Sequence, residues 1–298
     1  MILVTGATGR PGSAVIREFA RRREPVRALV RDRSKAEALL ALPDVEVAYG
    51  DMLWPETLGD ALAGVDRVLM ITGAGPQMLE TQATFIDAAK KAGVGHIVKF
   101  SGEDSARGFD SEKFRSTRSH EQIQRYLMAS GVPWTMLRPS QFMQVYFEEV
   151  PTIVAAGELR LPLGSATLAP VDIDDIAKVA HAVLTTPGHQ GKTYKMTGPE
   201  ALTVADIAQR ISNAIAKPVR HVDVTPEQKC QEWLDAGYPA ARAGAFVQLF
   251  NERRELAHSD VYLATHEKFG VEPTTFAQFA LCHAAVFCGD AAYSLTPV

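Results

Sequence analysis

Short apolar runs alternate with stretches whose apolar residues recur at helical spacing, and the alternation continues to about residue 140. This pattern is typical of a parallel β-sheet whose strands are joined by crossover helices. It predicts strands over 2–5, 26–30, 45–49, 67–71, 96–100 and 134–137, and helices over 12–23, 34–42, 56–62, 78–92 and 115–129. Six such strands suit a doubly wound sheet, so the sequence predicts an α/β fold.

The pattern changes after Pro139. A long helical stretch over 141–156 is followed by a segment punctuated by proline and glycine, and then by further alternating elements. These are a helix over 174–184, a strand near 193–196, a helix over 204–216, a strand near 219–224 and helices beyond Pro226. We expect residues 1–140 to form the sheet domain, with later segments returning to it, and residues 141–298 to form mainly a smaller α/β lobe.

Composition narrows the function classes. The 31 basic and 35 acidic side chains nearly balance, which argues against a nucleic-acid scaffold. No apolar run approaches the ~20 residues that span a bilayer, so no membrane association is expected. The three cysteines, Cys230, Cys282 and Cys288, are too few and too irregular for a disulfide framework. The first strand begins at Met1 with no room for a targeting peptide, so we expect a cytoplasmic protein.

The turn between the first strand and the first helix carries the spacing Gly-x-x-Gly-x-x-Gly at Gly6, Gly9 and Gly12. Gly6 permits a sharp turn, Gly9 lets the backbone approach a pyrophosphate, and Gly12 allows the helix to pack closely on the sheet. The free N–H groups at the helix start then face the phosphates. A strand before the motif and a helix after it are the context that a dinucleotide site requires, so we predict dinucleotide binding over a merely structural turn.

The end of the second strand indicates which dinucleotide binds. An acidic residue about 20 residues beyond the glycine motif is usual in NAD-binding proteins. This chain has Arg31 at that position, followed by Asp32, Arg33 and Lys35. A guanidinium can hold a 2′-phosphate bidentately, so we predict NADP(H) as the cofactor, although Asp32 counts against it. Solvent-exposed charges flanking a helix are the alternative interpretation.

Other chemistries find no support in the sequence. It contains no Gly-x-Ser-x-Gly, His-Glu-x-x-His or Cys-x-x-Cys motif and no Gly-x-x-x-x-Gly-Lys phosphate loop. The eight histidines are scattered rather than grouped at ligand spacing, so no metal site is expected.

Four motifs together carry a family resemblance: Thr-Gly-Ala-Thr-Gly at 5–9, Tyr-Gly-Asp at 49–51, and the segments 130–139 and 197–203. On these the chain resembles the NmrA-like atypical short-chain dehydrogenases/reductases, and within them the bacterial NADPH-dependent quinone reductases and triphenylmethane dye reductases. The resemblance covers roughly the first 205 residues. It implies a Rossmann domain, a small C-terminal substrate lobe and a nicotinamide cofactor in the cleft between them.

The resemblance also implies roles for individual residues. It assigns Arg31 to the 2′-phosphate, and Asp51 and Met52 to the border of the adenine. Thr72 and Gly73 would line the ribose. Alternatively, Asp51 could simply cap a turn and Gly73 could simply belong to a loop. The residues assigned to the phosphates and the nearby nicotinamide are Gly6, Thr8, Gly9, Arg10, Pro11 and Gly12.

The usual catalytic pair of short-chain dehydrogenases, a Tyr with a Lys four residues later, is absent, because none of the seven tyrosines has Lys at that position. The NmrA-like group shares this departure. The remaining catalytic candidates are Ser101, at the end of the fifth strand, and His120, on the following helix. Gln124 stands where the related reductases would have Glu, which removes a carboxylate that would raise the pKa of the imidazole. His120 could instead lie on the helix surface or contact a ribose.

Aromatic and sulfur side chains follow Pro139. Phe142, Met143 and Tyr146, with Phe147, could stack against a planar substrate, and Val145 replaces an Asn that relatives often have. These residues could equally form the core face of a helix.

Two function classes remain. The first is an NADPH-dependent oxidoreductase that transfers hydride to a quinone-like or conjugated planar organic substrate. The second is a non-enzymatic NADP-binding redox sensor that acts through a protein partner, a role that the same family contains. Retained Ser101 and His120 favour the enzyme. The sequence is compatible with a homodimer but does not fix the oligomeric state.

Overall fold

The regular elements follow the predicted alternation. The structure, a computed structural model, describes residues 1–73, 75–102, 115–256 and 258–291. The strands are β1 (Ile2–Val4), β2 (Val26–Val30), β3 (Val45–Tyr49), β4 (Arg67–Met70), β5 (His96–Phe100), β6 (Trp134–Pro139), β7 (Glu158–Arg160), β8 (Thr167–Leu168), β9 (Lys192–Met196), β10 (Leu202–Thr203) and β11 (Arg220–Val222).

The α-helices are α1 (Arg10–Arg22), α2 (Glu37–Leu40), α3 (Gly59–Leu62), α4 (Met78–Lys91), α5 (Arg115–Ala129), α6 (Val150–Ala156), α7 (Ile173–Thr185), α8 (Val204–Ile215), α9 (Pro226–Asp235), α10 (Ala240–Leu256), α11 (Ala264–Phe269), α12 (Phe276–Cys282) and α13 (Ala284–Phe287). Short 3-10 helices cover Arg33–Lys35, Pro55–Thr57 and Met143–Glu149.

Seven parallel strands form the main sheet in the order β3-β2-β1-β4-β5-β6-β9. β1 lies between β2 and β4, with Leu3 opposite Arg27 on one side and Val68 on the other. The chain order reverses at β1, so the carboxyl ends of β1 and β4 border the crevice where doubly wound sheets bind ligands. The predicted α/β fold is confirmed.

Continuous apolar runs explain why the strands were predictable. All five residues of β2 and of β5 are buried, as expected of parallel strands covered by helices on both faces. On one side, Val15, Ile16 and Phe19 of α1 are fully buried in the apolar cluster that α7 also joins. α7 and β9 both come after residue 140. α7 packs in the apolar cluster on the sheet. β9 forms the last strand of the sheet, since it pairs with β6 from Thr135 opposite Lys192 to Pro139 opposite Met196.

The single helix predicted over 141–156 is wrong. The segment forms the 3-10 helix Met143–Glu149 and then α6, which has Pro151 in its first turn. Proline has no N–H to donate, and its ring clashes with the carbonyl four residues earlier, here that of Phe147. One continuous α-helix from 141 to 156 is therefore disfavoured, and α6 instead begins at Val150, so that Pro151 lies in a first turn where its missing N–H costs nothing.

A second apolar cluster holds the remaining elements together. It combines the 3-10 helix after β6 with α6, α8, α9, α10, α12 and α13, and two short two-stranded sheets, β8 with β10 and β7 with β11, border it. Its largest members are aromatic: Tyr146, Phe147, Trp233, Phe250, Phe276, Phe279 and Phe287.

No described helix is both long enough and apolar enough to cross a membrane. Cys230, Cys282 and Cys288 are free thiols.

Candidate functional site

A cavity of about 840 Å³ opens at the carboxyl edge of the main sheet. It extends from the turn after β1 to the second apolar cluster. Most of the predicted site residues line it: Gly6, Thr8, Gly9, Arg10, Pro11, Arg31, Asp51, Met52, Thr72, Gly73, Ser101, His120, Phe142 and Tyr146. Gly12 and Met143 are outside the lining.

The turn after β1 has the geometry that its glycines allow. Gly6 has φ of +57°, and its carbonyl accepts a hydrogen bond of 2.8 Å from the N–H of Gly9. A Cβ on Gly12 would lie 2.2 Å from the Gly6 oxygen, so Gly12 allows α1 to pack against the turn. Gly9 precedes α1, whose first turn contains no acidic side chain and leaves backbone N–H groups facing the cavity. This cradle fits a dinucleotide pyrophosphate.

The charged residues after β2 divide into two groups. Arg31, Asp32 and Lys35 line the cavity, whereas the guanidinium of Arg33 lies 3.9 Å from the ring centroid of Tyr49. Asp32 accepts hydrogen bonds from the backbone N–H and the hydroxyl of Ser34, at 3.0 and 2.7 Å, and these bonds lower the pKa of its carboxyl group. Asp32 is thereby engaged in capping the 3-10 helix, which leaves two cations for a 2′-phosphate.

Asp51 caps a turn and also lies at the cavity, the two positions that the sequence analysis considered for it. Its Oδ1 accepts the backbone N–H of Leu53 at 3.0 Å, which caps the turn after β3. Its Oδ2 lies 3.7 Å from Nη1 of Arg31, and the residue lines the cavity. Across the cavity, Thr72 Oγ1 accepts a bond of 2.7 Å from Gln82 Nε2. A Cβ on Gly73 would meet no atom within 4 Å, so packing does not require glycine there.

Gln124 acts on Ser101 rather than on the imidazole of His120. Its Nε2 donates to Ser101 Oγ at 3.0 Å, and its Oε1 accepts a hydrogen bond from Nη2 of Arg138. Because a guanidinium only donates, Arg138 fixes the orientation of the amide. Ser101 is 3% exposed and accepts from the amide, so its hydroxyl proton is left for an acceptor in the cavity.

His120 is paired with a lysine that the motif search did not identify. Lys99, the fourth of the five residues of β5, is 0% exposed and its Nζ lies 3.2 Å from Nδ1 of His120. Burial and then the neighbouring cations Lys99 and Arg138 hold the pKa of His120 well below its usual range. The imidazole is therefore neutral at pH 7. The signal for Lys99 was present: a lysine inside an apolar run of a central strand has no route to solvent.

The far end of the cavity is aromatic. Phe142 packs edge-on against Phe100, with centroids 6.0 Å apart. Trp233, Phe246 and Phe250 also line the cavity, and their rings contact one another at centroid distances from 5.0 to 6.3 Å. They come from α9 and α10, and no local motif in the sequence distinguishes them from core residues.

Two predicted substrate contacts differ in position. Met143 is 1% exposed and packs in the second apolar cluster, away from the cavity lining. Tyr146 lines the cavity but is 0% exposed, and its hydroxyl has no partner among the described residues. Burial raises the pKa of this phenol, so it stays protonated.

No cluster of three or more metal-ligating side chains occurs in the described part of the chain. The site brings together four features: the glycine turn as a phosphate cradle, two cations for a further phosphate, a polar cluster of Ser101, His120 and Gln124, and an aromatic wall of Phe142, Trp233, Phe246 and Phe250. Such a cavity can hold a dinucleotide with a planar molecule beside it.

Comparison with known proteins agrees with this geometry. The chain is 40% identical over 292 residues to the NAD(P)H azoreductase of Xenophilus azovorans, which covers 96% of this chain and 99% of the azoreductase. Among solved structures it is similar to the triphenylmethane reductase of Citrobacter sp. complexed with NADP(H). The TM-score is 0.84 at 26% identity, over 95% of this chain and 100% of that chain.

A second structure is the NADPH-dependent quinone oxidoreductase of Escherichia coli complexed with NADPH, with a TM-score of 0.83 at 26% identity, over 94% of this chain and 98% of that chain. The model of the NmrA-like family matches residues 1–280, which is most of the chain. The resemblance drawn from the four sequence motifs is thus confirmed, and the chain belongs to the NmrA-like family.

Proposed function

We propose that this protein reduces conjugated planar organic compounds, such as quinones, azo compounds or cationic dyes, with NADPH. It is an NAD(P)H-dependent oxidoreductase with NADP(H) as its cofactor, like the relatives described above. Those three relatives are named for azo, triphenylmethane and quinone substrates, which share an extended conjugated system. The non-enzymatic sensor is not favoured.

One observation carries the proposal: a single cavity joins the phosphate cradle to the aromatic wall. The glycine turn and the start of α1 would hold the pyrophosphate, and Arg31 with Lys35 would hold the 2′-phosphate. Bound there, NADPH supplies a hydride to the substrate.

Positioning of the substrate falls to the aromatic residues. Phe142, Trp233, Phe246 and Phe250 all line the cavity and would offer ring faces and edges to a flat molecule. Contacts of this kind are worth about 0.5–1.5 kcal/mol per ring pair beyond the burial of apolar area. They also exclude water from the reacting atoms.

Reduction of such substrates does not require a strong proton donor. A quinone or an extended conjugated acceptor delocalises the charge that reduction creates, so no strong acid is required at the moment of transfer. This explains how a chain without the Tyr/Lys pair can still be a reductase. Ser101 and neutral His120 supply hydrogen bonds at the edge of the cavity instead.

The test is NADPH oxidation with purified protein and a panel of quinones, azo dyes, triphenylmethane dyes and simple enones. We expect turnover with at least one conjugated class, and little with isolated enones that lack an extended π-system. Gly9→Val serves as the control without cofactor binding. Tight NADP binding with no turnover of any acceptor would contradict the proposal.

Three further expectations remain proposals. A homodimer would be tested by light scattering of the purified protein, and a cytoplasmic location by fractionation of the native cell. The absence of nucleic-acid binding follows from the balanced charge and is checked by a gel-shift assay.

A further inference from the structure

Lys99 occupies an unusual place for a lysine. It lies in β5, which is flanked by β4 and β6, and its neighbours in the register are Met70 and Met136. Its side chain is fully buried, and no carboxylate pairs with it in the described part of the chain. A buried ammonium without a counter-ion is costly, because burial removes its hydration. Such a residue calls for a role beyond packing.

Lys99 holds His120 by a specific contact. The ammonium donates to the carbonyl oxygen of Phe100 at 2.9 Å and reaches Nδ1 of His120 at 3.2 Å. When Lys99 is protonated it can only donate, so Nδ1 must carry a lone pair. The proton of neutral His120 is then on Nε2, the ring nitrogen on the side away from Lys99.

The imidazole of His120 borders the cavity. His120 lines the cavity together with Ser101 and Gly102. Its Cδ2, which is bonded to Nε2, lies 3.9 Å from the position of a Cβ built on Gly102. Nε2 itself has no hydrogen-bond partner among the described residues. The contact with Lys99 thus fixes a tautomer whose N–H is available to a molecule in the cavity.

We propose that Lys99 is a positioning residue that supplies, through His120, the proton that the reduced substrate requires. The inference rests on the proposed function, because it concerns the same substrate. It adds the source and the path of the proton, which the glycine turn and the aromatic wall do not provide.

The transfer balances as follows. Hydride reduction leaves the substrate with one negative charge, on oxygen in a quinone or on nitrogen in an azo compound. The Nε2–H bond of His120 breaks and its proton goes to that atom, while one N–H bond of Lys99 breaks and its proton goes to Nδ1. The products are neutral Lys99, His120 in the opposite tautomer and the protonated substrate. No further oxidant or reductant is needed, and water returns the proton after product release.

The charges around the pair suit this role. Burial, with a smaller contribution from Arg138 of β6, lowers the pKa of Lys99 to about 7. His120 faces Lys99 from α5, and Glu121 of the same helix acts on Arg138. A group with a pKa near the working pH both gives up and regains a proton readily.

The first measurement uses the protein without cofactor. Nitrogen-15 NMR of histidine-labelled protein, with His120 assigned through His120→Gln, reports which ring nitrogen carries the proton. We expect the Nε2–H tautomer in the wild type, with a change of the His120 signals near pH 7 as Lys99 loses its proton. In Lys99→Met the change near pH 7 should vanish. Lys192→Met, at an exposed lysine of β9, is the matched control and should leave the His120 signals unchanged.

The second measurement is the pH profile of kcat/KM with the best quinone or azo acceptor of the panel, because hydride transfer to a cationic dye gives a neutral product that needs no proton. In the wild type we expect a plateau below about pH 7 and a decline above it, since the donor must be protonated. Lys99→Met should lower kcat by about tenfold, the scale of one lost hydrogen bond, with KM unchanged and the decline near pH 7 removed. The double variant with His120→Gln should be no slower than His120→Gln alone, because both residues act on one path.

The outcomes separate the two proposals. A wild-type protein inactive on every acceptor would overturn the proposed function and this inference with it. An active wild type with the Nδ1–H tautomer at neutral pH would overturn only the inference, and it needs no variant that might fold poorly. The inference would also fail if folded Lys99→Met, with normal NADPH affinity, kept the wild-type profile. The expected tautomer together with the altered profile would support it.

Discussion

Arg10 donates from Nη2 to Oε1 of Glu148 at 2.8 Å, which joins the first turn of α1 to the 3-10 helix after β6. Both side chains line the cavity and are largely buried. Arg10 belongs to the turn that would hold the pyrophosphate. A carboxylate therefore lies next to the turn at which the pyrophosphate would bind.

Glu148→Gln should raise the affinity for NADPH by a few-fold to about tenfold, because it removes a negative charge close to the phosphates. Titration by calorimetry at two salt concentrations checks this, and the gain should shrink at the higher one. Glu227→Gln, at an exposed position of α9, is the control and should have no effect. A lower affinity in Glu148→Gln would show that the ion pair orders the turn for binding instead of opposing it.

Arg31→Ala should erase most of the preference for NADPH over NADH, since a charge-assisted contact to the 2′-phosphate is worth roughly 1.5–3 kcal/mol, or about one to two decades in affinity. Arg33→Ala is a matched control, because its guanidinium lies over Tyr49 rather than in the cavity. Fluorescence titration of the wild type and both variants with NADPH and with NADH measures the affinities that this prediction compares. Equal affinity of the wild type for NADH and NADPH would refute the role of Arg31.

Gly9→Val should abolish dinucleotide binding in a folded protein, because the branched side chain would occupy the space of the pyrophosphate. A Cβ at position 9 meets only the Gly6 oxygen, at 3.1 Å. Gly12→Ala should act differently and lower the free energy of unfolding, because its Cβ would lie 2.2 Å from the same oxygen. Urea unfolding and NADPH titration of both variants separate the two effects. Normal NADPH affinity in folded Gly9→Val would contradict the phosphate cradle.

Phe142→Ala should raise KM for a planar acceptor while kcat changes little, because the ring contributes stacking area and no chemistry. The neighbouring Met143→Ala should do the opposite. Met143 is 1% exposed in the second apolar cluster, so its loss should cost about 2–5 kcal/mol of stability with a nearly normal KM. Steady-state kinetics and thermal unfolding measure both. If Met143→Ala raised KM more than Phe142→Ala did, the aromatic wall would be misplaced.

Stability should fall as the pH drops from about 6.5 to about 4, in part because of His96. Burial, followed by the charges of Arg67 and His189, lowers its pKa to about 4. Thr135 donates to the carbonyl of His189 at 2.6 Å, so its oxygen accepts from Nε2 of His96 at 2.9 Å and the imidazole is neutral.

Below pH 6.5 the unfolded chain takes up a proton that folded His96 refuses, at up to about 1.4 kcal/mol per pH unit. His96→Gln should flatten this decline in urea unfolding measured across the range. His258→Gln, at an exposed histidine, should not. An unchanged slope in His96→Gln would mean that other groups cause the acid sensitivity.

The sheet was predictable because its strands are continuous apolar runs. The bounds of β2, β3 and β5 match the predicted ones, and the glycine turn follows from spacing alone. The aromatic wall was not predictable, since Trp233 lies about ninety residues after Phe142 and only the tertiary fold brings them to one cavity.

The polar cluster next to α5 could be predicted only in part from the sequence. Ser101 and His120 were found as single candidates, but the partners that define them, Gln124 and Lys99, depend on which way each side chain points. The sequence indicated only that Gln124, one helical turn from His120, lacks the carboxylate that would raise the pKa of the imidazole. Gln124 contacts Ser101 because Arg138 of the adjacent strand holds its oxygen.

The pairing of β6 with β9 makes the two parts of the molecule topologically interlaced. The chain leaves the sheet after Pro139, builds part of the second apolar cluster, and returns to place Lys192–Met196 along the sheet edge. Residues that pair across this edge are separated by 57 positions, as between Thr135 and Lys192. Contacts of such long range slow folding, because the loop must close before they form. No single cut in the chain separates the main sheet from the second apolar cluster. The cofactor cradle and the aromatic wall therefore cannot be obtained as two separate fragments.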